Sequence, residues 1–326
     1  MIEVLEPGIS TTVQDLGRYG HYHIGMPPSG AMDQFSHKVA NYLVGNDENS
    51  ATLEITYQGP DLKFEEDAVV AIAGADMEAT INDESISNWE TNQIDAGDVL
   101  SFNFATEGAR SYLAVAGGID VSLMMDSRST YTLIGIGGYN GRQLQEGDTL
   151  SIGDTRGNSA SIGTQVPDEH RPTYSEMDPI RVVMGLCDYR LTNESKAEFL
   201  ETEWTVTPEA DRVGYRLDGI DLEFIEREQP FGAGTDPSNV VDLGYPVGSI
   251  QVPEQPIVLM RDAVTGGGYA TIGTVISPDR NRLAQHRTHQ SFSFEGVTID
   301  EALSARNDLT DRLEAIRSSV TKENNS

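Results

Sequence analysis

The apolar residues of this chain come in short runs. Ala68–Met77 (AVVAIAGADM), Ser111–Val121 (SYLAVAGGIDV), Pro179–Leu186 (PIRVVMGL) and Pro256–Val264 (PIVLMRDAV) are all of strand length and bounded by glycine, proline or acidic turns such as NDES and EGD. Runs of this kind suit buried or half-buried β-strands. Two stretches break the pattern. Phe35, Val39, Tyr42 and Leu43 recur at helical spacing, and Gly45 stands where a glycine commonly ends a helix. Leu309, Leu313, Ile316 and Val320 form the stripe of a second helix over Ile299–Ser319, after which Thr321–Ser326 reads as a frayed tail. The chain is therefore expected to be mainly β, with a few helices.

With 326 residues, 38% of them hydrophobic, the chain can bury a core and has the length of about two domains. The stretch Ile152–Pro179 is polar, contains Gly, Ser and Pro, and lacks periodicity, which places a boundary around residues 165–175. The expected division is an N-terminal β-rich domain over residues 1–165, a C-terminal β-domain over 175–300, and a helix with its tail over 301–326. Gly59–Phe64 (GPDLKF) reads like Gly219–Phe224 (GIDLEF), 160 residues on, and Ile2–Gly8 reads like Ile180–Leu186, 178 residues on. The two halves read as related.

Charge is the strongest compositional signal. The chain carries 52 Asp and Glu against 22 Lys and Arg, a net charge of −30, and only Lys38, Lys63, Lys196 and Lys322 are lysines. The acids are scattered and not gathered into a tail, which points to global solvation and to a protein adapted to high salt. The same charge argues against nucleic acid as a partner. No apolar run has membrane-spanning length, no secretion signal is visible, and the single cysteine, Cys187, cannot pair within the chain. A cytoplasmic protein is the expectation.

Several chemistries lack their motifs. There is no GxxxxGK[ST] phosphate loop, no GxSxG elbow, no HExxH and no Met-Lys context for biotin attachment. His21 and His23 share a strand face without a third ligand, so no metal is expected. Three segments invite a functional reading. In GMPPSGAMDQFSHKVAN, Asp33, His37 and Asn41 fall on one helical ridge, away from the Phe35/Val39 stripe. They either serve the helix end and solvent, or line a pocket walled by the stiff GMPPSG loop, in which Gly30 lets backbone approach a ligand. In QVPEQPIVLMRDAVTGGGYATIG, Arg261 and Asp262 follow a buried strand and precede what reads as a glycine turn at Gly266–Gly268. Ser277–Gln290 is a basic island in which Arg280, Arg282, His286, Arg287 and His289 face one acid, Asp279. It suits an anionic substrate, an acidic partner or a plain surface helix.

Taken together, Thr11–Asp33 (TTVQDLGRYGHYHIGMPPSGAMD), Asn41–Phe64, Ser111–Val121, Asp211–Gly219 (DRVGYRLDG) and Gly248–Gly273 resemble the C-subunit family of 5-oxoprolinases. That family is also labelled allophanate hydrolase subunit 2 or biotin-dependent carboxyltransferase, and it is similar to the carboxyltransferase domain of urea carboxylase. The resemblance implies two tandem β-barrel-like domains related to cyclophilin. It implies subunit-B-like and subunit-A-like partners, a small amide substrate, and ATP-dependent opening of 5-oxoproline to glutamate, with ATP used by the complex and no covalently bound cofactor. On this resemblance, Asp262 and Asp33 are the candidate catalytic residues. Asn41, Glu54, Arg128, Gln251, Tyr269 and Gln285 are the candidate substrate-binding residues, with Arg128 an anion contact and Glu54 a buried partner. The chain departs from the family where Asp126 replaces the usual glycine of GSRST, where His286–His289 follow LAQ, and at VPEQPIV, which is shorter than usual.

Two other functions compete: carboxyl transfer from carboxybiotin to urea or a similar amide, and regulatory binding of a partner without turnover. The charge reading has its own check. At molar salt the Debye length shrinks to about 3 Å, which screens the repulsion among carboxylates. The chain should therefore melt higher in multimolar KCl than in dilute buffer. Equal melting temperatures would contradict salt adaptation.

Overall fold

A computed structural model describes residues 1–155, 160–174 and 179–323. The protein is mainly β, with four α-helices among the described residues. The chain divides into two compact units. One comprises Met1–Arg18, Ser29–Ser175 and Thr310–Ser326, and the other comprises Tyr19–Pro28 and Glu176–Leu309. Among the described residues no helix is long and apolar enough to cross a membrane.

The first unit contains β1 (Ile2–Glu6), β2 (Ser10–Gln14), β3 (Thr52–Thr56), β4 (Asp61–Phe64), β5 (Ala68–Asp76), β6 (Thr80–Ile81), β7 (Glu84–Ser85), β8 (Thr91–Ile94), β9 (Val99–Ser101), β10 (Glu107–Val115), β11 (Ile119–Asp120) and β12 (Thr149–Ile152). They form two sheets, ordered β11-β12-β1-β4-β9-β6-β7 and β2-β3-β10-β5-β8. The long strands β5 and β10 pair antiparallel, with Tyr112 opposite Ala73 and Leu113 opposite Ile72. Ile2, Val4, Leu62, Phe64 and Leu100 from the first sheet join Leu53, Ile55, Val70, Ile72, Leu113 and Val115 from the second in one buried core. Burying each such side chain contributes about 1.5–3 kcal/mol.

Helix α1 (Gln34–Leu43) starts at Asp33, whose side chain accepts from the Ser36 amide. Beyond its end, Gly45 takes a positive φ of 68°. The expected ridge of His37 and Asn41 does not face solvent, because both are fully buried. His37 Nδ1 meets the Thr52 hydroxyl at 2.9 Å and Nε2 the Glu48 carbonyl at 3.1 Å, while the Asn41 amide donates to the Ser50 carbonyl at 2.9 Å. The helical wheel shows which residues share a face; here internal partners let a polar face be buried.

The second unit contains β13 (Ile180–Met184), α2 (Asn193–Glu201), β14 (Trp204–Val206), β15 (Gly214–Asp218), β16 (Asn239–Gly244), β17 (Ser249–Gln251), β18 (Ile257–Leu259), β19 (Gly266–Tyr269), β20 (Thr271–Val275), α3 (Ser277–Leu283), β21 (Ser291–Phe292) and β22 (Phe294–Gly296). The main sheet runs β21-β14-β15-β18-β17-β20-β13-β22. Its two edge strands are successive in sequence, parted only by Ser293, so the sheet curls into a nearly closed barrel. Closure removes exposed strand edges. Phe199, Trp204, Phe292 and Phe294 stack beside the seam, with ring centroids 4.7–5.8 Å apart.

Two expectations are corrected in this unit. Gly266–Gly268 is not a turn but part of β19, which pairs with β16 in a separate ribbon. A Cβ on Gly267 would come within 3.0 Å of the Tyr245 ring, so glycine lets that ring lie against the strand. The suspected repeat is matched only in part: Ile2–Glu6 and Ile180–Met184 are both strands, but Asp61–Phe64 is a strand whereas in Gly219–Phe224 only Phe224 makes an isolated bridge, to Leu191.

Helix α4 (Ile299–Glu323) opens with a reciprocal cap. Glu301 accepts from the Thr298 amide and hydroxyl, and Thr298 accepts from the Glu301 amide. The helix continues past the expected stop at Ser319, and residues 324–326 of the expected frayed tail lie outside the described residues. Ile316 and Val320 are buried, and Arg312 and Arg317 lie over the rings of Phe35 and Tyr42.

Burial sets a pH dependence. It pulls the His37 pKa down to about 4, the neighbouring carboxylates only partly opposing it. The unfolded chain takes up this proton near pH 6.5 and the folded chain does not, so stability is lost as pH falls from about 6.5 towards 4. That difference amounts to about 3 kcal/mol. A His37→Gln variant should lose less stability over this interval in denaturant melts at stepped pH. Parallel loss in both proteins would contradict neutral burial of His37.

Candidate functional site

The second unit gathers charged and polar side chains where β18 ends. The strand delivers Arg261 and Asp262, both buried. Asp262 does not pair with its neighbour in sequence. Its Oδ2 accepts from Arg212 Nε at 2.8 Å and its Oδ1 from Arg212 Nη2 at 3.2 Å, and its amide donates to the Arg212 carbonyl at 2.9 Å. Arg212 belongs to the DRVGYRLDG motif just before β15. This two-point pairing fixes the orientation of the carboxylate.

Arg261 turns elsewhere and donates from Nη1 to the Tyr19 hydroxyl at 2.9 Å. Arg280, from α3, donates to the Val247 carbonyl at 3.0 Å. Burial, followed by the nearby Arg261 guanidinium, lowers the Arg280 pKa to about 10. Tyr22 lies in the same field. Burial raises its pKa, as does Tyr19, while the two arginines and the Val247 main chain work against the rise. The segment Tyr19–Pro28 thus brings two phenols to two guanidinium groups within one unit.

Two expected binding residues share one neighbour. The Tyr245 hydroxyl donates to the Tyr269 carbonyl at 2.9 Å and accepts from the Tyr269 amide at 2.7 Å. Burial raises the Tyr245 pKa, and hydrogen bonds from Tyr269 and from the Gln251 side chain oppose that shift. Gln251 is nearly buried, whereas the Tyr269 side chain is 43% exposed. Gln285 is fully buried just beyond α3.

The basic island is mostly turned inward. Asp279 is fully buried and accepts from the Arg181 amide, Nε and Nη2 at 2.8, 3.0 and 2.7 Å. Arg282 joins it at 3.3 Å. His286 is buried against Phe292, and burial lowers its pKa to about 4. Only His289 of the island is exposed. Internal pairing and packing consume Asp279, Arg282 and His286, whereas Arg280 meets no carboxylate, so the island is not a plain surface helix.

The remaining expected site residues belong to the first unit. Asp33 is buried at the start of α1, where its two oxygens accept from the Ser36 amide at 3.1 Å and hydroxyl at 2.6 Å. Asn41 is held as described above. Glu54 Oε2 accepts from the Met32 amide and from the Tyr112 hydroxyl, each at 2.7 Å, and the same hydroxyl accepts from the Asp33 amide. Glu54 is thus a buried partner that ties β3 and β10 to the entry of α1. A Cβ on Gly30 would meet the Leu16 and Gly17 main chain within 2.8 Å, so the close approach at Gly30 is to protein backbone.

Arg128 is half-exposed and reaches Asp120 at 3.5 Å. Its backbone amide has the closer engagement, donating to Asp15 at 2.6 Å. Ser127 and Ser129 donate to the same buried carboxylate. Asp126 stands at φ 60°, a conformation that glycine enters freely and aspartate tolerates, so this chain keeps the turn despite the departure from GSRST.

Tyr19, Tyr22, Arg212 and Tyr245 were not singled out from the sequence as site residues. The aromatic-rich GRYGHYHIG stretch carried a signal for the first two. Arg212 and Tyr245 become visible only once strand pairing brings them to Asp262 and Tyr269. Among the described residues, no three His, Cys, Asp or Glu side chains are placed to hold a metal ion.

This site sits on a recognisable scaffold. The family model for the carboxyltransferase domain, subdomain A and B, matches residues 24–296, and the chain belongs to that family. It is similar to the C subunit of the 5-oxoprolinase of Escherichia coli K12, with 35% identity over 99% of this chain and 100% of that protein. It is also similar to the urea amidolyase of Saccharomyces cerevisiae, with 32% identity over 94% of this chain but 17% of the relative. The solved urea amidolyase of Kluyveromyces lactis superposes with a TM-score of 0.90 and 32% identity, covering 97% of this chain and 20% of that one.

Proposed function

We propose that this chain is the C subunit of an ATP-dependent 5-oxoprolinase, which opens 5-oxoproline to glutamate together with subunit-A-like and subunit-B-like proteins. The observation that carries the reading is the match to the Escherichia coli 5-oxoprolinase C subunit over 99% of this chain and 100% of the relative. A lactam is a resonance-stabilised amide and needs strong activation before water attacks it. Transfer of the γ-phosphoryl group of ATP to the lactam oxygen supplies that activation. Water then adds to the carbon, the carbon–nitrogen bond breaks as the amine takes up a proton, and a second water hydrolyses the resulting γ-glutamyl phosphate to glutamate and phosphate.

In this reading the chain binds and orients the lactam, while nucleotide binding falls to a partner. Asp262, held by Arg212, is a fixed acceptor for the ring N–H. Gln251, Tyr269 and Gln285 supply polar contacts around it. Asp33, Asn41, Glu54 and Arg128 act by holding their own unit in shape. Carboxyl transfer to a urea-like amide is the second reading, favoured by the structural likeness to urea amidolyase. It requires a biotin-bearing chain.

Reconstitution tests both. The purified chain, assayed in high salt with ATP and 5-oxoproline, should show no turnover alone and should gain it when subunit-A-like and subunit-B-like chains are added. An Asp262→Asn chain that melts cooperatively should lower that rate at least about a hundredfold. Turnover only with carboxybiotin and urea would replace the first reading by the second. Steady turnover by the isolated chain would overturn the dependence on partners.

A further inference from the structure

Carboxylates are abundant in this protein, and most arginines of the second unit that approach them take one. Arg181 and Arg282 share Asp279, Arg212 holds Asp262, and Arg216 meets Glu209. Arg190 takes only neutral oxygens, of Asn239 and Gln229. Arg261 and Arg280, whose charges act on each other, take no carboxylate either. Each donates one Nη1 hydrogen bond to a neutral oxygen, of Tyr19 and of Val247 respectively. The Nε of each is buried without a hydrogen-bond partner. Arg261 is only 5% exposed. The charged group acting most strongly on Arg280 is Arg261, and after it come only Tyr19 and Tyr22.

Two like charges withdrawn from water beside each other are costly unless something compensates them. The fold nevertheless makes room for the pair. Gly248 has a φ of 92°, and a Cβ there would lie 3.0 Å from Arg280 Cδ and 2.9 Å from the Val275 carbonyl. The glycine lets the Arg280 stem lie flat while its guanidinium stays beside Arg261. The result is a cluster of N–H and O–H donors around two positive charges, which is the chemistry that receives an oxyanion. A planar guanidinium with a free Nε edge suits a carboxylate in particular, because Nε and its neighbouring Nη match the two carboxylate oxygens.

We propose that Arg261 and Arg280, with the phenols of Tyr19 and Tyr22, form a carboxylate-binding site that selects an anionic cyclic amide over a neutral amide such as urea. The assignment rests on the 5-oxoprolinase reading. At neutral pH the one charge on 5-oxoproline is its carboxylate, and Asp262, adjacent to Arg261 in the chain, is the residue assigned to the ring N–H.

Titration calorimetry on the purified chain tests this, with 5-oxoproline, 2-pyrrolidinone and inorganic phosphate as probes. The same titrations are run on Arg261→Gln, Arg280→Gln and Arg280→Lys variants, each first checked for a cooperative melt. 5-Oxoproline should bind at least tenfold more tightly than 2-pyrrolidinone, which is the same ring without the carboxylate. Each glutamine variant should weaken 5-oxoproline at least tenfold and leave 2-pyrrolidinone unchanged. Arg280→Lys preserves the charge and should retain part of the affinity, which keeps the test informative if a glutamine variant does not fold.

Equal binding of the two lactams, unchanged affinity in folded variants, or no binding of 5-oxoproline would overturn the site. Phosphate binding more tightly than 5-oxoproline through the same arginines would overturn its assignment to a carboxylate. The two proposals fail separately. A complex that hydrolyses 5-oxoproline with unchanged KM in the arginine variants would sink this site and leave the function standing. Arginine-dependent binding of 5-oxoproline in a complex that does not turn it over would do the reverse.

Discussion

The arrangement of the second unit depends on a single buried carboxylate. Asp279 has no exposed surface, and Arg181 gives it three hydrogen bonds, two from the guanidinium and one from the backbone amide. The pair ties α3 to β13, the strand next to the barrel seam. Arg282 adds a second cation to the same carboxylate, so its charge stays compensated within the unit. The Arg181–Asp279 contact also fixes the register of α3. Arg280 follows Asp279 directly in the chain, so the clamp that secures the helix also aims the neighbouring guanidinium at Val247 and Arg261.

The same economy recurs around Asp262 and Asp15. Arg212 occupies the first with two hydrogen bonds, and the Ser127–Ser129 turn surrounds the second. Each carboxylate joins segments far apart in sequence and carries its charge into the interior with partners supplied. In a chain at −30 the scarce cations are the limiting component. That Arg261 and Arg280 act on each other as like charges and neither takes a carboxylate is the feature of this unit most in need of a ligand.

Much of the fold was legible because strand signals are local. The four apolar runs became β5, β10, β13 and β18, and both helical stripes formed helices. The errors came where partners are distant. The helical wheel placed His37 and Asn41 on a polar ridge but held no information about Thr52, Glu48 and Ser50, which allow that ridge to be buried. Gly266–Gly268 looked like a turn because three successive glycines carry no side-chain pattern; the strand is fixed by pairing with β16 and by the Tyr245 ring. Asp262, Gln251 and Tyr269 were expected on the resemblance; that Asp262 takes Arg212 and not Arg261 as its partner is a product of packing between strands.

The central claim is that Arg261 and Arg280 together bind an anion. Crystals grown with bromide as the sole halide, measured at the bromine absorption edge, address it most directly. An anomalous peak within about 4 Å of both guanidinium groups, the range of a direct ion contact, is the predicted result. Ordered bromide at other surfaces, with only neutral protein groups or an unforeseen carboxylate filling the space beside these two arginines, would contradict it.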